Sequence, residues 1–315
     1  MRVLAYIHTF NDADVIEQTI SALLRQTRAV DEILVVDNAS SDGTLDQPCL
    51  QHATVVRNPE NTGTSGGVAT GLQYALEHGY DWTWIFDPDG LPAPDALEKM
   101  LDLYADWPHA MQDETGFLTC LHPESWRNSA HRNFTWRGLV PAKPMPGKSY
   151  YLCDNAWWSG CLYRIAAVRE IGLPNADYFL DWGESEYGYR MRRGGFKGFV
   201  CRDATIDSNI RGYAALRPAE SERRKAGPAT LEHPPFRCYY TARNRLYFTL
   251  YDLGEIQPVL LLRMIVTLGL MMIRVLLQPG RKGAQMGAFS LGIWHGLTGN
   301  ISARYQRGHP TSSSG

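Results

Sequence analysis

The sequence predicts an α/β fold in which a mostly parallel central sheet is flanked by helices and followed by a C-terminal helical extension. Over the first hundred residues, short apolar runs alternate with stretches of helical spacing, the pattern of strands joined by crossover helices. Each apolar run stops at a polar cluster, and sheets of this kind bind ligands beyond the carboxyl ends of their strands. Residues 256–277 (IQPVLLLRMIVTLGLMMIRVLL) carry only Arg263 and Arg274 as charges, which marks a segment unlike the rest.

The elements follow in order. Residues 3–7 are a first strand ending at Thr9-Phe10-Asn11-Asp12, which can cap a helix from 15 to 25 (Val15, Ile16, Ile20, Leu23, Leu24). EILVV at 32–36 is a second strand, cut off by Asp37-Asn38-Ala39-Ser40-Ser41-Asp42-Gly43. A third begins at 54–56, followed by a Gly-rich turn and a helix near 71–78. WTWIF at 82–86 is a fourth, ending at Asp87-Pro88-Asp89-Gly90. Residues 105–150, interrupted by Pro and Trp, predict loops with one strand; a second organised block runs from 157 to 207. ESERRKAG at 220–227 predicts a charged mobile loop, and 309–315 a disordered tail.

Composition narrows the function classes. With 315 residues, 44% hydrophobic and 20% charged, the chain can bury a large core. A net charge of −2 gives no basic field for nucleic acid. The six cysteines show no C-x-x-C pair, so neither a zinc knuckle nor a disulfide framework is suggested. The start lacks a basic stretch followed by a long apolar one, so it reads as a strand and not a signal peptide. The expectation is a cytoplasmic protein with reduced thiols.

Four clusters can carry chemistry. Asp87-Pro88-Asp89 sets two carboxylates around a proline-fixed turn, able to share one divalent cation and so to offset charge on a departing diphosphate. The same residues also read as an ordinary Pro-Asp-Gly turn. Asp37 leaves a central strand and can accept hydrogen bonds from a base or ribose, within a run that is equally turn and cap chemistry. Asn61-Thr62-Gly63-Thr64-Ser65-Gly66-Gly67 opens a helix whose N-terminus favours phosphate, although it matches neither a Walker loop nor G-x-G-x-x-G. In Asp181-Trp182-Gly183-Glu184-Ser185-Glu186-Tyr187-Gly188-Tyr189-Arg190, the pair Glu186 and Arg190 has i, i+4 spacing. Glu184 lies near the helix start, facing a cleft or complementing the helix dipole.

Taken together these blocks resemble glycosyltransferase family 2, a GT-A (Rossmann-like) fold, and within it the bacterial rhamnosyl- and galactofuranosyltransferase branch. The resemblance rests on Thr9-Phe10-Asn11, on V-D-N-x-S-x-D-G-T at 36–44, on N-x-G-x-x-G-G at 61–67 and on Asp87–Asp89. It extends to W-x-x-x-E-Y-G-x-R at 182–190, Y-Y-x-x-R-N at 239–244 and, more loosely, GIWHGLTG at 292–299. It implies a catalytic domain over 1–250, with a nucleotide-binding half at 1–105 and an acceptor half at 106–250. A helical region over 251–308 follows.

The resemblance also implies roles. Thr9, Asn11 and Asp37 would contact uridine or thymidine, Asn61 and Gly67 the diphosphate side, with Asp87 on both nucleotide and metal. Asp87 and Asp89 would hold Mn2+ or Mg2+, and Glu184 would be the catalytic base of an inverting single displacement. Trp158, Asp181 and Trp182 fall on the acceptor side, Trp158 stacking on a sugar or lying in the core. Two departures matter: the base position usually carries Asp, and the expected metal-ligand His is missing from 204–209, where Asp207 is the substitute oxygen ligand. Donor and acceptor would be a UDP- or dTDP-sugar and a glycan or lipid-linked glycan for cell-surface polysaccharide.

For 256–277, two arginines in the hydrocarbon would each cost roughly 2.5–3.5 kcal/mol. The expectation is therefore a peripheral contact at the inner face of the plasma membrane, against a buried core helix or an oligomer interface. A non-catalytic sugar-nucleotide or glycan-binding protein on the same fold is the alternative. A nucleotidyltransferase would need a basic Gly-rich N-terminal loop, which 7–14 does not supply.

Overall fold

The computed structural model describes residues 1–123, 130–136, 138–208, 234–254, 258–277 and 282–305. The expected loop at 220–227 and tail at 309–315 lie outside them. The chain packs as two units, Met1–Ala176 with Gly183–Glu220, and Asp177–Trp182 with Ser221–Gly315.

The first unit opens with β1 (Val3–Thr9), α1 (Ile16–Leu24), β2 (Glu32–Asp37), β3 (Thr54–Arg57), α2 (Gly63–Glu77) and β4 (Trp82–Phe86). The four strands pair in parallel in the order β3-β2-β1-β4. Their side chains alternate between the sheet's faces. Ala5, Ile7, Val35 and Trp84 meet Ile16, Ile20 and Leu23 of α1 in one core. Leu4, Tyr6, Val36 and Ile85 meet Val68, Leu72 and Ala75 of α2 in another. Thr9 stands opposite Asp37, and Ile7 opposite Phe86, so three strands finish together at one edge.

Next come β5 (Gly90–Pro92), α3 (Ala96–Ala105), α4 (His109–Asp113), β6 (Thr115–Leu121), β7 (His131–Thr135), β8 (Gly138–Pro141), β9 (Tyr150–Cys153), β10 (Asn155–Ala156) and β11 (Cys161–Arg164). After them, α5 (Ile165–Ile171), α6 (Gly183–Arg193) and β12 (Lys197–Ser208) complete the unit. Here the sheet becomes mixed, where strand–helix alternation predicted parallel strands: β11 runs antiparallel between β4 and β6. β12 pairs parallel with β6 and antiparallel with β5 and β9. A second sheet takes the order β10-β7-β8.

Two expectations are corrected. Residues 105–150 hold more than one strand, because Thr115, Gly116, Thr119 and Cys120 dilute the apolar run of β6 and HRNFT in β7 has none. The helix expected near 71–78 begins at Gly63, so Gly66, Gly67 and Gly71 lie inside it. A Cβ on Gly71 would come within 2.3 Å of the Tyr6 ring, and one on Gly67 within 3.0 Å of the Tyr6 hydroxyl. The glycines let α2 lie directly on β1.

In the second unit, α7 (Pro235–Tyr247), α8 (Pro258–Leu277) and α9 (Lys282–Leu297) enclose Cys238, Ala242, Leu246, Met264, Leu268 and Phe289. A Cβ on Gly292 would reach within 2.3 Å of the Tyr239 carbonyl, so α7 and α9 touch backbone to backbone. α7 packs in this unit with α8 and α9. All six cysteines are free; Cys120, Cys153, Cys161, Cys201 and Cys238 are buried, which pushes their thiols up. Cys49 is half-buried.

Candidate active site

The turn after β1 and the turn after β2 are stapled together. Thr9 donates its hydroxyl to Asp12 (3.0 Å), whose carboxylate also takes the Phe10 amide (2.8 Å). The Asn11 amide donates to the Ser40 hydroxyl (2.9 Å), and the Ser41 amide to Asn11 Oδ1 (2.8 Å). Asn11 and Ala39 hold φ of +61° and +64°, a strained region for residues bearing a Cβ. Asp37 is fully buried, its oxygens taking the Ser40 amide at 3.2 Å with Arg57 Nε at 3.4 Å. With these bonds Asp37 shapes the turn that presents Asn38 to Ser41.

The start of α2 is tied to the same edge. Asn61 Oδ1 accepts the Gly63 amide (2.8 Å), while Asn38 Oδ1 accepts from Asn58 (2.9 Å) and Thr62 (2.8 Å). Gly67 is buried against Tyr6, His8 and Asn38, so its missing side chain serves this packing.

The acidic pair follows β4. Asp87 receives His8 Nε2 at 3.1 Å on one oxygen, and its amide donates to the Ser159 hydroxyl at 3.3 Å. Thr19 holds the turn by donating to the Pro88 carbonyl (2.7 Å). Burial, then the charges of Asp87 and Asp12, push the Asp89 carboxyl up to about 6. Such crowding of carboxylates is relieved by a cation. Asp207 stands opposite Leu91 in the β12–β5 ladder, two residues beyond Asp89. Among the described residues, no three His, Cys, Asp or Glu side chains gather at metal-ligand spacing. Two carboxylates are nonetheless the donor set of a hard cation that shares its shell with substrate phosphates.

On the other side, Glu184 lies half-buried in the first turn of α6. Glu186, by contrast, is spent: it binds Arg190, which also donates to the carbonyls of Ile171 (3.0 Å) and Leu173 (2.7 Å). α6 rests on β10 at Gly188, where a Cβ would meet the Asp154 carbonyl at 2.3 Å. Asn155 donates to Ser185 (3.2 Å), and Arg132 is its ladder partner on β7. Burial lowers the Arg132 guanidinium, and the Glu184 carboxylate pushes it back up. Cys161, at the start of β11, is pushed up to about 12 by burial, with Glu184 and Asp87 both adding to the effect.

Of the acceptor-side residues, Trp158 is in the core against Tyr163 and Tyr187, the core role of the two open to it. Asp181 accepts the Thr241 hydroxyl (2.8 Å) with Arg237 at 3.9 Å, and Trp182 lies under Arg245 (5.3 Å) and beside Phe248 (5.5 Å). Sequence reasoning missed His8, Ser159, Arg132 and His122. His122 donates through Nε2 to the Ser159 carbonyl (3.1 Å); a carbonyl only accepts, so Nε2 carries the proton. The one signal for His8 was a polar residue on the inward face of an apolar strand.

The family model for glycosyl transferase family 2 matches residues 5–172. Galactofuranosyltransferase GlfT1 of Mycobacterium tuberculosis is 28% identical over 260 residues, spanning 78% of this chain and 81% of its own. The undecaprenyl-phosphate mannosyltransferase of Micrococcus luteus is 34% identical over 107 residues, 32% of this chain and 44% of its own. Among solved structures, mannosyltransferase PcManGT from Pyrobaculum calidifontis, in complex with GDP-Man and Mn2+, superposes with a TM-score of 0.51 at 18% identity. That match covers 94% of this chain and 87% of the other. With the family model covering more than half of the chain, this protein belongs to glycosyltransferase family 2 and is a hexosyltransferase on a GT-A fold.

Proposed function

We propose that the enzyme transfers rhamnose, galactofuranose or a similar sugar, with inversion, from a UDP- or dTDP-sugar to a glycan or lipid-linked acceptor in cell-surface polysaccharide synthesis. The observation that carries this is the acidic turn Asp87-Pro88-Asp89 at the edge where β1, β2 and β4 end, with His8 on Asp87 and Asp207 brought alongside by the β12–β5 ladder. It offers an acidic pair for the diphosphate, with Glu184 in the first turn of α6 as a separate carboxylate for the acceptor. The M. tuberculosis and M. luteus relatives, by name a galactofuranosyltransferase and an undecaprenyl-phosphate mannosyltransferase, support the sugar and acceptor classes.

Thr9, Asn11 and the turn shaped by Asp37 receive the nucleoside, and Asn61 with the start of α2 faces the diphosphate. Asp87 and Asp89 would hold Mn2+ or Mg2+, with Asp207 as the further oxygen ligand; such an ion supplies charge stabilisation to the leaving diphosphate. Glu184 takes the proton of the acceptor hydroxyl. The acceptor oxygen then bonds to the anomeric carbon as the carbon–phosphate oxygen bond breaks, its electron pair leaving with the nucleoside diphosphate.

The exposed face of α8 lies on lipid. Val259, Leu262, Ile265, Val266, Leu270, Ile273, Leu276 and Leu277 are all exposed along it, and α9 adds Trp294. At 20 residues the helix is about 30 Å long, and Arg263 on its exposed side favours lying at the interface over crossing it.

The reading is tested by calorimetric titration with UDP and dTDP, with and without Mn2+, alongside turnover of a panel of nucleotide sugars. Asp89→Ala should lose the metal-dependent part of binding, and Glu184→Gln should bind donor normally but fail to transfer. Full turnover by Glu184→Gln would remove Glu184 as the base.

A further inference from the structure

β3 is the outermost strand on its side of the sheet, and Arg57 is its last residue. The register sets Arg57 opposite Asp37. Asp37 is fully buried, a setting in which a charge needs a partner. Arg57 supplies one: its Nε lies 3.4 Å from Asp37 Oδ2, and its Nη2 donates to the Ser40 carbonyl at 3.1 Å. That carbonyl belongs to the turn that Asn11 staples to the end of β1.

A guanidinium is planar, and its Nε–H shares one edge with a hydrogen of Nη2. Asp37 and Ser40 occupy that edge. The end of the group, Nη1 with the second hydrogen of Nη2, is left facing away from them. Nη1 makes no hydrogen bond among the described residues, and the side chain is 58% exposed, so this fork opens outward.

Position decides what the fork meets. Three strand spacings separate the end of β3 from the end of β4, about 14 Å at the backbone. With the diphosphate at the acidic turn after β4 and the nucleoside over the turns after β1 and β2, the end of β3 falls at the edge of the base remote from the ribose. That edge carries the O4 carbonyl in uracil and thymine, and an amino group in cytosine. A guanidinium has donors only, so it bonds the carbonyl and leaves the amino group without an acceptor.

We infer that Arg57 is a specificity-determining residue for the donor, its Nη1–Nη2 fork taking the O4 carbonyl of a uracil or thymine base. The inference rests on the nucleoside lying over the turns after β1 and β2.

The test is calorimetric titration of the full chain with UDP against CDP and with dTDP against dCDP, all with Mn2+. Wild type should favour the uracil or thymine nucleotide by at least about tenfold, the scale of a hydrogen bond to a charged group. Arg57→Met keeps the stem and removes every donor; it should lose the preference by weakening UDP or dTDP while the cytosine nucleotides bind as before. Arg57→Lys keeps a cation for Asp37 but has no fork, so it should hold the wild-type melting temperature and lose the preference as well. Equal weakening of all four nucleotides in Arg57→Met would show that Arg57 only props the turn, and would overturn the inference. So would an undiminished preference in Arg57→Lys, or none in wild type. If Arg57→Met does not fold, Arg57→Lys decides alone. Wild type that binds none of the four would overturn the nucleoside site itself, and Arg57 with it.

Discussion

His8 Nε2 lies 3.1 Å from Asp87 Oδ1, joining the end of β1 to the first carboxylate after β4. The contact follows from register: Ile7 is opposite Phe86, so the next residues of both strands meet where the ladder ends. His8 is itself hemmed in by α2, where Gly67 passes against its Cβ. It therefore fixes which Asp87 oxygen remains open to a cation. Partners of this kind orient ligands, and losing one typically costs 10–100-fold in metal affinity. His8→Ala should weaken Mn2+-supported UDP or dTDP binding by about that factor while metal-free binding stays unchanged, as read by calorimetry.

Gly188 marks the closest approach of α6 to β10. A Cβ there meets a backbone carbonyl that cannot swing away, so Gly188→Ala must lift the helix. The expected cost is roughly 1–3 kcal/mol of stability, measured by thermal or urea unfolding. Transfer should fall further than nucleotide binding, because the displaced helix carries Glu184.

Stability should depend on pH through two groups of opposite sign. Burial lowers His122 from 6.5 to about 4, so the unfolded chain takes the proton first as pH falls. Its contribution is complete above pH 6.5 and is lost towards pH 4. Asp89 is raised from 3.8 to about 6, so the folded chain takes the proton first. Its contribution is complete below pH 3.8 and is lost as pH rises to 6. Relative to wild type in metal-free buffer, His122→Gln should therefore lose melting temperature as pH rises from 4 to 6.5. Asp89→Asn should gain it between pH 4 and 6.

The α8 surface makes a separate prediction. Leu262 and Val266 sit one turn apart on its exposed side. Changing both to Glu removes two buried side chains from a lipid contact, each worth about 1.5–3 kcal/mol. Co-sedimentation with phosphatidylglycerol vesicles should fall at least about tenfold, with the melting temperature unchanged. Undiminished vesicle binding would assign this face to another surface.

What could be read in advance was local. The strand WTWIF announces itself by unbroken apolar residues, and the acidic turn after it by position. Glu186 and Arg190 declare their pairing through i, i+4 spacing. The rest depends on partners distant in sequence. Ser159 meets Asp87 across 72 residues, and Asp207 comes to the acidic turn only through the β12–β5 register. β6 is hidden because threonine, glycine and cysteine fill buried positions as well as leucine does. Asp37 was visible as the polar end of a strand, but its burial and its Arg57 partner, 20 residues on, were not. Trp158 has the surface of a sugar platform, but Tyr163 and Tyr187 cover it.

The distribution of thiols makes the folded enzyme its own clock. Four buried cysteines report on the first unit and Cys238 on the second, with Cys49 left as the half-accessible handle. A maleimide that reacts with Cys49 in the native state can reach the others only when their surroundings open. Peptide-resolved labelling rates would then time the opening of each unit separately, from unmodified protein and without an introduced probe.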